Sequence, residues 1–200
     1  MSILNQKTIK KQIEFKGITL HRGRFANMRI IPSPPNTGIV FKRTDLKINN
    51  IIEANCFNVK NAVLCTTLKN ESGACISTVE HLMAAFFGLG VDNALVEIDQ
   101  DEIPIMDGSS KNFVEAISKT GLKNYNVPIK IIKILNKIEV ASDEKYISIE
   151  PSKTSLEIDF EIKFKNPLIG TQRNVISVYE NDLSDIFNSR TFCLYEDIEK

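Results

Sequence analysis

Apolar and polar residues alternate along much of the chain with the period of two that is typical of β-strands. The clearest case is residues 156–164, where every second side chain is apolar and most of those between are charged. We expect one face of this strand to lie in a core and the other to meet water. Shorter patterns of the same kind predict further strands, at residues 9–15, 26–31, 38–42, 61–68, 93–99, 129–135, 137–141, 146–150 and 175–179.

Helical spacing of apolar residues occurs in fewer places. Residues 76–88 read as an amphipathic helix that opens with polar residues and ends at glycines. Residues 113–120 have the same spacing, and Gly121 follows where a C-terminal cap belongs. A short helix is also expected between residues 181 and 186.

Strands followed by helices occur twice, which indicates an α+β fold built from two units. The polar stretch 124–128, which ends at a proline, is the best boundary between them. We therefore expect a first α+β domain at residues 1–126 and a second at residues 127–200. Each is expected to be a sheet with helices on one face.

Composition and charge exclude several classes of protein. The chain has 200 residues, 42% of them hydrophobic and 25% charged, which suits a globular protein with a real core. Its 25 basic residues balance 25 acidic ones, so no net field favours nucleic acid or an anionic membrane. No apolar run approaches the ~20 residues that a membrane helix needs, and the N-terminus does not read as a signal peptide. The four cysteines show no C-x-x-C spacing, so we expect reduced thiols in a cytoplasm.

The start of the first predicted helix carries the most suggestive chemistry, Glu80 beside His81. Ser77 and Glu80 fit a capping box, in which each side chain bonds the other's backbone N–H, and this needs no catalysis. His81 is harder to explain by capping, because it is a poor partner for Ile76 in a hydrophobic staple. The positive end of the helix dipole disfavours its protonated form, and a neutral imidazole suits a metal. Both interpretations stay open on the residues alone.

Other polar residues have simpler interpretations. Asp107, in Met-Asp-Gly-Ser, is expected to make an Asx turn before a helix. His21 is expected in a hairpin turn, and Cys65 on a strand as a buried, inert thiol. No phosphate-binding, dinucleotide-binding or nucleophile-elbow motif occurs.

Several short motifs taken together are far more specific than any one of them. They are Gly17–Gly23 (GITLHRG), Asn36–Phe41 (NTGIVF), Ser77–Leu82 (STVEHL), Gly88–Asn93 (GLGVDN), Glu102–Ser109 (EIPIMDGS), Ser189–Phe192 (SRTF) and Asp197–Glu199 (DIE). The set resembles the zinc-dependent UDP-3-O-acyl-N-acetylglucosamine deacetylases of lipid A biosynthesis in Gram-negative bacteria. The resemblance covers essentially the whole chain.

This resemblance implies a role for specific residues. His81 would be a ligand of Zn²⁺, and Glu80 the general base for the water that attacks the acetamide. The Thr191 hydroxyl would help to stabilise the tetrahedral oxyanion. Substrate contacts are implied for the remaining site residues, namely Leu64, Cys65, Asp107 and Phe192. The family's fold is two layered α+β domains with the active site between them.

The resemblance also implies partners and a location. The substrate would be a UDP-linked acylated glucosamine, with no nucleic acid and no stable membrane insertion. The full-length protein is expected to be a cytoplasmic monomer.

Family members continue beyond the part that this chain matches. There they carry a His and an Asp four positions apart that complete the zinc ligands, and a further His that acts as general acid. Because His21 and His81 are the only histidines here, we expect the chain to be a fragment with an incomplete second domain. An alternative is a catalytically inactive fragment that serves as a binding or interaction module.

Overall fold

The structure is a computed structural model that describes residues 4–152 and 156–193. The described chain divides into two compact units. Unit 1 contains the residues up to Ile129 together with those from Ser184 onward, and unit 2 is Lys130–Leu183. Helices and several sheets occur together, which confirms the predicted α+β class. The domain limits inferred from the sequence, 1–126 and 127–200, stay a prediction, and the motif Asp197–Glu199 lies outside the described residues.

Unit 1 holds most of the secondary structure. Its strands are β1 (Asn5–Ile9), β2 (Ile13–Ile18), β3 (Phe25–Pro32), β4 (Ile39–Arg43), β5 (Ile51–Glu53), β6 (Val59–Asn61), β7 (Thr67–Lys69), β8 (Cys75–Ile76), β9 (Ala94–Ile98) and β10 (Leu122–Pro128). Its helices are α1 (Glu80–Leu89), α2 (Lys111–Thr120) and α3 (Ser184–Asn188), with a 3-10 turn at Cys56–Asn58.

The central sheet of unit 1 has five strands in the order β2-β3-β9-β4-β5. Only β4 and β9 pair in parallel within it, and the other neighbours are antiparallel. Two smaller sheets flank it, one formed by β1 with β10 and one by β6, β7 and β8. The sheet of β6, β7 and β8 lies at the start of α1, because β8 leads directly into that helix.

Helices α1 and α2 pack on the central sheet because each buries an apolar stripe. Leu82 and Phe86 of α1 and Phe113 of α2 are at most 1% exposed. The Phe113 ring meets Phe15 of β2 edge-on, with 5.0 Å between ring centroids. Such pairs add to the ordinary gain from burying apolar area. No helix in the described chain is long and apolar enough to span a bilayer.

The central sheet also carries a nearly buried carboxylate, Glu97 of β9, which is 9% exposed. It accepts a hydrogen bond from Lys42 Nζ at 3.0 Å and forms an ion pair with Arg29. The hydrogen bond from Lys42, together with the charge of Arg29, lowers the pKa of Glu97. The charge is thus paired within the sheet.

Unit 2 consists of two β-hairpins. The first joins β11 (Ile138–Ser142) to β12 (Lys145–Ile149), and the second joins β13 (Glu157–Lys163) to β14 (Thr171–Ser177). No helix lies within the described part of this unit. The short helix expected between residues 181 and 186 forms as α3, Ser184–Asn188, and belongs to unit 1.

The alternating strand predicted at residues 156–164 forms as β13, but its apolar face is not in a core. Ile158 is 42% exposed and Phe160 is 60% exposed. A two-stranded hairpin has no second layer of its own against which to bury a face. The period of two therefore indicated the strand correctly and its burial wrongly.

Three further predictions differ from the structure. Residues 62–66 form a loop between β6 and β7 rather than one strand over 61–68. The supposed linker at 124–128 is part of β10, which pairs with β1. Residues 129–135 form no strand, and three of their five apolar side chains, Ile131, Ile132 and Leu135, are at least 73% exposed. Distant pairing, and not local apolar content, decided which of these segments became strands.

Candidate active site

Helix α1 begins at Glu80, with Val79 as its N-cap in right-handed helical conformation and with no side-chain cap bond. The predicted capping box is therefore wrong. Ser77 Oγ donates instead to the carbonyl of Asp101 at 3.0 Å. Ser77 also forms a β-bridge with Glu102, which draws it away from the end of the helix.

Glu80 directs its carboxylate back towards the preceding loop. Its Oε2 accepts a hydrogen bond from the backbone N–H of Thr66 at 2.9 Å. The N–H of Val79 donates to the Thr66 carbonyl at 3.5 Å, so two contacts join this loop to the helix start. An acidic residue at this end of a helix also interacts favourably with the dipole. The carboxylate is half-buried and held in one direction.

His81 occupies the next position in the first turn of α1 and is half-buried. Among the residues that the structure describes, its imidazole has no hydrogen-bond partner. Both ring nitrogens are thus available to a ligand from outside the described chain. An adjacent carboxylate with a fixed orientation and an unengaged imidazole are the residue types that acid–base or metal chemistry requires.

The residue before the N-cap, Thr78, has a φ of +57°. A β-branched residue in the left-handed region is a real outlier and costs on the order of 1–3 kcal/mol. Its hydroxyl donates to Oε1 of Glu102 at 3.0 Å, and both residues are at most 2% exposed. A buried hydrogen bond to a carboxylate offsets part of this strain.

Leu64 and Cys65 lie in the loop that contacts Glu80. Leu64 has a φ of +62° and is 87% exposed. Cys65 is half-buried, with its Sγ 3.8 Å from Thr67 Oγ1, and it precedes β7 instead of lying on a strand. The predicted buried strand cysteine is therefore wrong. Thr66, which donates to Glu80, directly follows Cys65. The structure therefore brings Leu64 and Cys65 close to Glu80.

Asp107 makes the predicted Asx turn, since its Oδ1 accepts from the N–H of Ser109 at 3.2 Å and from the Ser109 hydroxyl at 2.7 Å. Its Oδ2 also pairs with Arg190 Nη2 at 3.2 Å. The hydrogen bonds from Ser109, followed by the charge of Arg190, lower the pKa of Asp107.

The Thr191 segment is joined to the same loop. Thr191 N–H donates to the Gly108 carbonyl at 2.9 Å, and Arg190 Nε donates to the Asp107 carbonyl at 3.0 Å. Thr191 is exposed, and Phe192 is 57% exposed. Thr191 is therefore held next to Asp107 by contacts within unit 1, and Phe192 follows it in the chain.

The site residues thus fall into two groups joined by one loop, residues 101–110. Glu80, Leu64 and Cys65 form the first group, and Asp107 with Thr191 forms the second. Asp101 and Glu102 at the start of the loop bind the segment before α1, whereas its later part binds the Thr191 segment.

Sequence reasoning missed Thr66, Glu102 and Arg190 as residues that shape this region. Glu102 belongs to a recognised motif but had no assigned role. Its partners include backbone N–H groups some 80 residues away, and a contact with a backbone group cannot be recognised from the residue types. The same holds for Thr66, which acts through its backbone.

The described residues do not by themselves complete a metal site. Across residues 4–152 and 156–193, no group of three or more His, Cys, Asp or Glu side chains could hold a metal ion. A catalytic zinc generally needs three protein ligands. His81 can therefore supply only part of such a site.

Comparison with known proteins identifies the family. The family model described as LpxC, UDP-3-O-acyl N-acetylglycosamine deacetylase, matches residues 6–200. The UDP-3-O-acyl-N-acetylglucosamine deacetylase of Pseudoalteromonas atlantica is 38% identical over 200 residues, which cover 98% of this chain and 66% of the relative. The enzyme of the same name from Shewanella frigidimarina is 40% identical over 197 residues, covering 97% of this chain and 64% of the relative. The chain belongs to the UDP-3-O-acyl-N-acetylglucosamine deacetylase family.

This family match confirms the resemblance drawn from the motifs. The chain spans somewhat less than two thirds of the length of the curated relatives that it matches, 64% and 66% for these two. The activity, substrate and partners of the whole protein are therefore matters of proposal.

Proposed function

We propose that this chain supplies the general base and one metal ligand of a deacetylase that removes the N-acetyl group from UDP-3-O-acyl-N-acetylglucosamine in lipid A biosynthesis. The observation that carries the proposal is the pair at the start of α1. Glu80 is oriented by the Thr66 N–H, and His81 beside it has no partner among the described side chains. The names of the relatives describe the same reaction.

The proposed reaction is hydrolysis of an amide. The Glu80 carboxylate takes a proton from water as the water oxygen bonds to the acetamide carbon. The carbon–nitrogen bond then breaks, acetate leaves, and the proton that Glu80 took from water passes to the amino group of the sugar. The second carboxylate oxygen of Glu80 is available for the first transfer, because the Thr66 N–H engages only Oε2.

The other site residues have proposed roles that follow their positions. The Thr191 hydroxyl would donate to the oxyanion of the tetrahedral intermediate. Stabilisation of this oxyanion contributes a large part of the rate enhancement in such reactions. Phe192 and Leu64 offer exposed apolar surface for the substrate, with Cys65 next to Leu64 in the loop at Glu80. Asp107 would support Thr191 through the bonds from Arg190 to the same loop.

The metal in this proposal is zinc, with His81 as one ligand. The donor set favours it, because a neutral imidazole nitrogen is a common zinc ligand. The described residues lack the remaining ligands, and the steps above involve only side chains of this chain. We also propose that the protein acts in the cytoplasm, in keeping with a UDP-linked substrate.

The test is acetate release from UDP-3-O-acyl-N-acetylglucosamine by the full-length protein and by its Glu80→Ala variant. The Shewanella frigidimarina relative serves as positive control, and Glu115→Ala, at an exposed position of α2, is the matched variant. Loss of a general base lowers kcat by a factor of about 10²–10⁴. We expect that loss in Glu80→Ala, with bound zinc unchanged, and none in Glu115→Ala.

Two results would contradict the proposal. Turnover that survives Glu80→Ala would exclude Glu80 as the base. Absence of acetate release by the unmodified protein, while the relative is active, would favour the alternative of a binding module.

A further inference from the structure

Glu102 is a fully buried carboxylate, 0% exposed, in the loop that joins the two groups of site residues. Its Oε1 accepts hydrogen bonds from the His21 N–H at 2.9 Å and from the Thr78 hydroxyl at 3.0 Å. Its Oε2 accepts from the Arg22 N–H at 3.1 Å. All three donors are neutral, so this carboxylate is held by hydrogen bonds and not by an ion pair among the described residues. A buried carboxylate is tolerated only where such donors are already in place.

These bonds connect two segments that are far apart in sequence. The His21–Arg22 turn lies between β2 and β3, and Thr78 immediately precedes the N-cap of α1. The neighbours of Glu102 hold Ser77 as well: its N–H donates to the Asp101 carbonyl at 3.0 Å, and its carbonyl accepts from the Ile103 N–H at 3.1 Å. Ser77 and Thr78, which lead into α1, are thus held by hydrogen bonds to backbone and side-chain groups.

Thr78 is the point where the chain turns from β8 into α1. Its φ of +57° is unfavourable for a β-branched residue, so this turn persists only where other contacts determine it. The Glu102 carboxylate provides such a contact at the Thr78 side chain. Since Glu80 and His81 follow within three residues, the geometry of this turn sets the direction in which both side chains leave the helix.

We propose that Glu102 is a positioning residue that holds the Thr78 turn and thereby orients Glu80 and His81. The catalytic meaning of that orientation rests on the proposed function. The structural claim is that the Glu102 carboxylate sets the position of His81 without contacting it. This claim does not depend on the proposed function. None of the three hydrogen bonds of Glu102 involves residue 81.

Glu97 offers a matched control in the same unit. It is also a nearly buried carboxylate, 9% exposed, but its partners are Lys42 and Arg29 on the central sheet. Glu97→Gln disturbs buried polar contacts as Glu102→Gln does, yet it leaves the Thr78 turn intact. A general loss of stability should therefore appear in both variants. A change in the orientation of Glu80 and His81 should appear only in Glu102→Gln.

The experiment uses the fact that His21 and His81 are the only histidines. Each imidazole gives its own ring C–H signal in a ¹H–¹³C NMR spectrum of the full chain. In Glu102→Gln, one acceptor oxygen is replaced by an NH₂ group that faces an N–H donor, so at least one bond is lost. We expect the His81 signal to shift by more than its linewidth or to split, and to stay in place in Glu97→Gln.

Thr78→Val tests the same link from its other end, because it removes the donor hydroxyl and leaves Glu102 unchanged. It should move the His81 signal in the same direction, and it decides the question if Glu102→Gln does not fold. A folded Thr78→Val variant with an unmoved His81 signal would overturn the proposal. So would an equal shift in Glu97→Gln.

Kinetics separate this proposal from the proposed function. If Glu80 and His81 act in the deacetylase, Glu102→Gln should lower kcat about tenfold or more and leave KM within about twofold, and Glu97→Gln should change neither. If Glu80→Ala leaves acetate release unchanged, the proposed function fails, while the His81 signal still decides the positioning role. A moved His81 signal with unchanged kcat in an active protein would refute the catalytic part alone.

Discussion

The backbone N–H of Thr66 donates a 2.9 Å hydrogen bond to Oε2 of Glu80, across fourteen residues of chain. The carboxylate is therefore oriented by the loop at residues 62–66 and not by a cap within its own helix. The same loop carries Leu64 and Cys65, so the contacts at Thr66 place these residues near the proposed base. The sequence left open whether Glu80 caps the helix or takes part in chemistry. Glu80 forms no cap hydrogen bond within α1, so the capping interpretation is excluded.

Shortening Glu80 to Asp should remove this contact, because the carboxylate withdraws by about one methylene from the Thr66 N–H. We expect turnover to fall at least tenfold, and the free energy of unfolding to fall by about 1.5–3 kcal/mol, as for a lost hydrogen bond to a charged group. Acetate release and urea denaturation measure the two effects. Glu115→Asp on α2 is the control, and full turnover in Glu80→Asp would show that the exact reach of the carboxylate is unimportant.

Asp107 should contribute a pH-dependent part of the stability. Its pKa is lowered in the folded state by the Ser109 hydrogen bonds and by Arg190, so folding favours the charged form. This contribution is fully present above the pKa of about 3.9 in the unfolded chain, and it is lost as the pH falls through the folded value. The difference in unfolding free energy between the protein and Asp107→Asn should therefore be constant above about pH 5 and shrink below about pH 4.

Urea denaturation between pH 3 and pH 6 measures this difference. Arg190→Met should reduce it, because that variant removes the positive partner of Asp107. A difference that does not change over this pH range would contradict the assignment of a lowered pKa to Asp107.

The pair Phe15 and Phe113 should be a main contributor to the packing of α2. Both side chains are at most 7% exposed, and their rings meet edge-on. Phe113→Ala should lower the free energy of unfolding by about 3–5 kcal/mol, through lost burial and the cavity left behind. Ser118→Ala, at an exposed position of the same helix, should change it by less than about 0.5 kcal/mol. Comparable losses in the two variants would mean that α2 is not packed as described.

The first hairpin of unit 2 should promote self-association. Its cross-strand pairs Ile138–Ile149 and Val140–Ile147 place four apolar side chains on one face, and each is at least 46% exposed. Contiguous exposed apolar surface favours association in water. Light scattering after size exclusion should show oligomers that decrease in Val140→Lys and Ile147→Lys. The corresponding change on the opposite face, Glu139→Lys, should have no such effect, and a strictly monomeric protein would contradict the prediction.

Local pattern was enough to predict much of unit 1. Helical spacing indicated α2 and its terminal Gly121, and alternation indicated β3, β4 and β9, because these signals lie within one element. The Asx turn at Asp107 was equally accessible, since it joins residues two positions apart. The motifs around Glu80, His81 and Thr191 identified the family for the same reason.

Tertiary contacts decided what local pattern could not. Strand β10 forms because β1 pairs with it, although its own residues read as a polar linker. Ser77 bonds to Asp101 instead of capping α1, because the chain at 101–103 runs beside it.

By itself, the sequence determined which residues are proposed to carry the chemistry: a carboxylate and an imidazole side by side at a helix start, and a threonine near residue 190. Only the tertiary structure decided how they are held, through Thr66 on Glu80, Glu102 on Thr78 and Arg190 on Asp107. The physical reason is that residue type fixes what a group can donate or accept, whereas its partner depends on where the rest of the chain brings a backbone N–H or a distant charge.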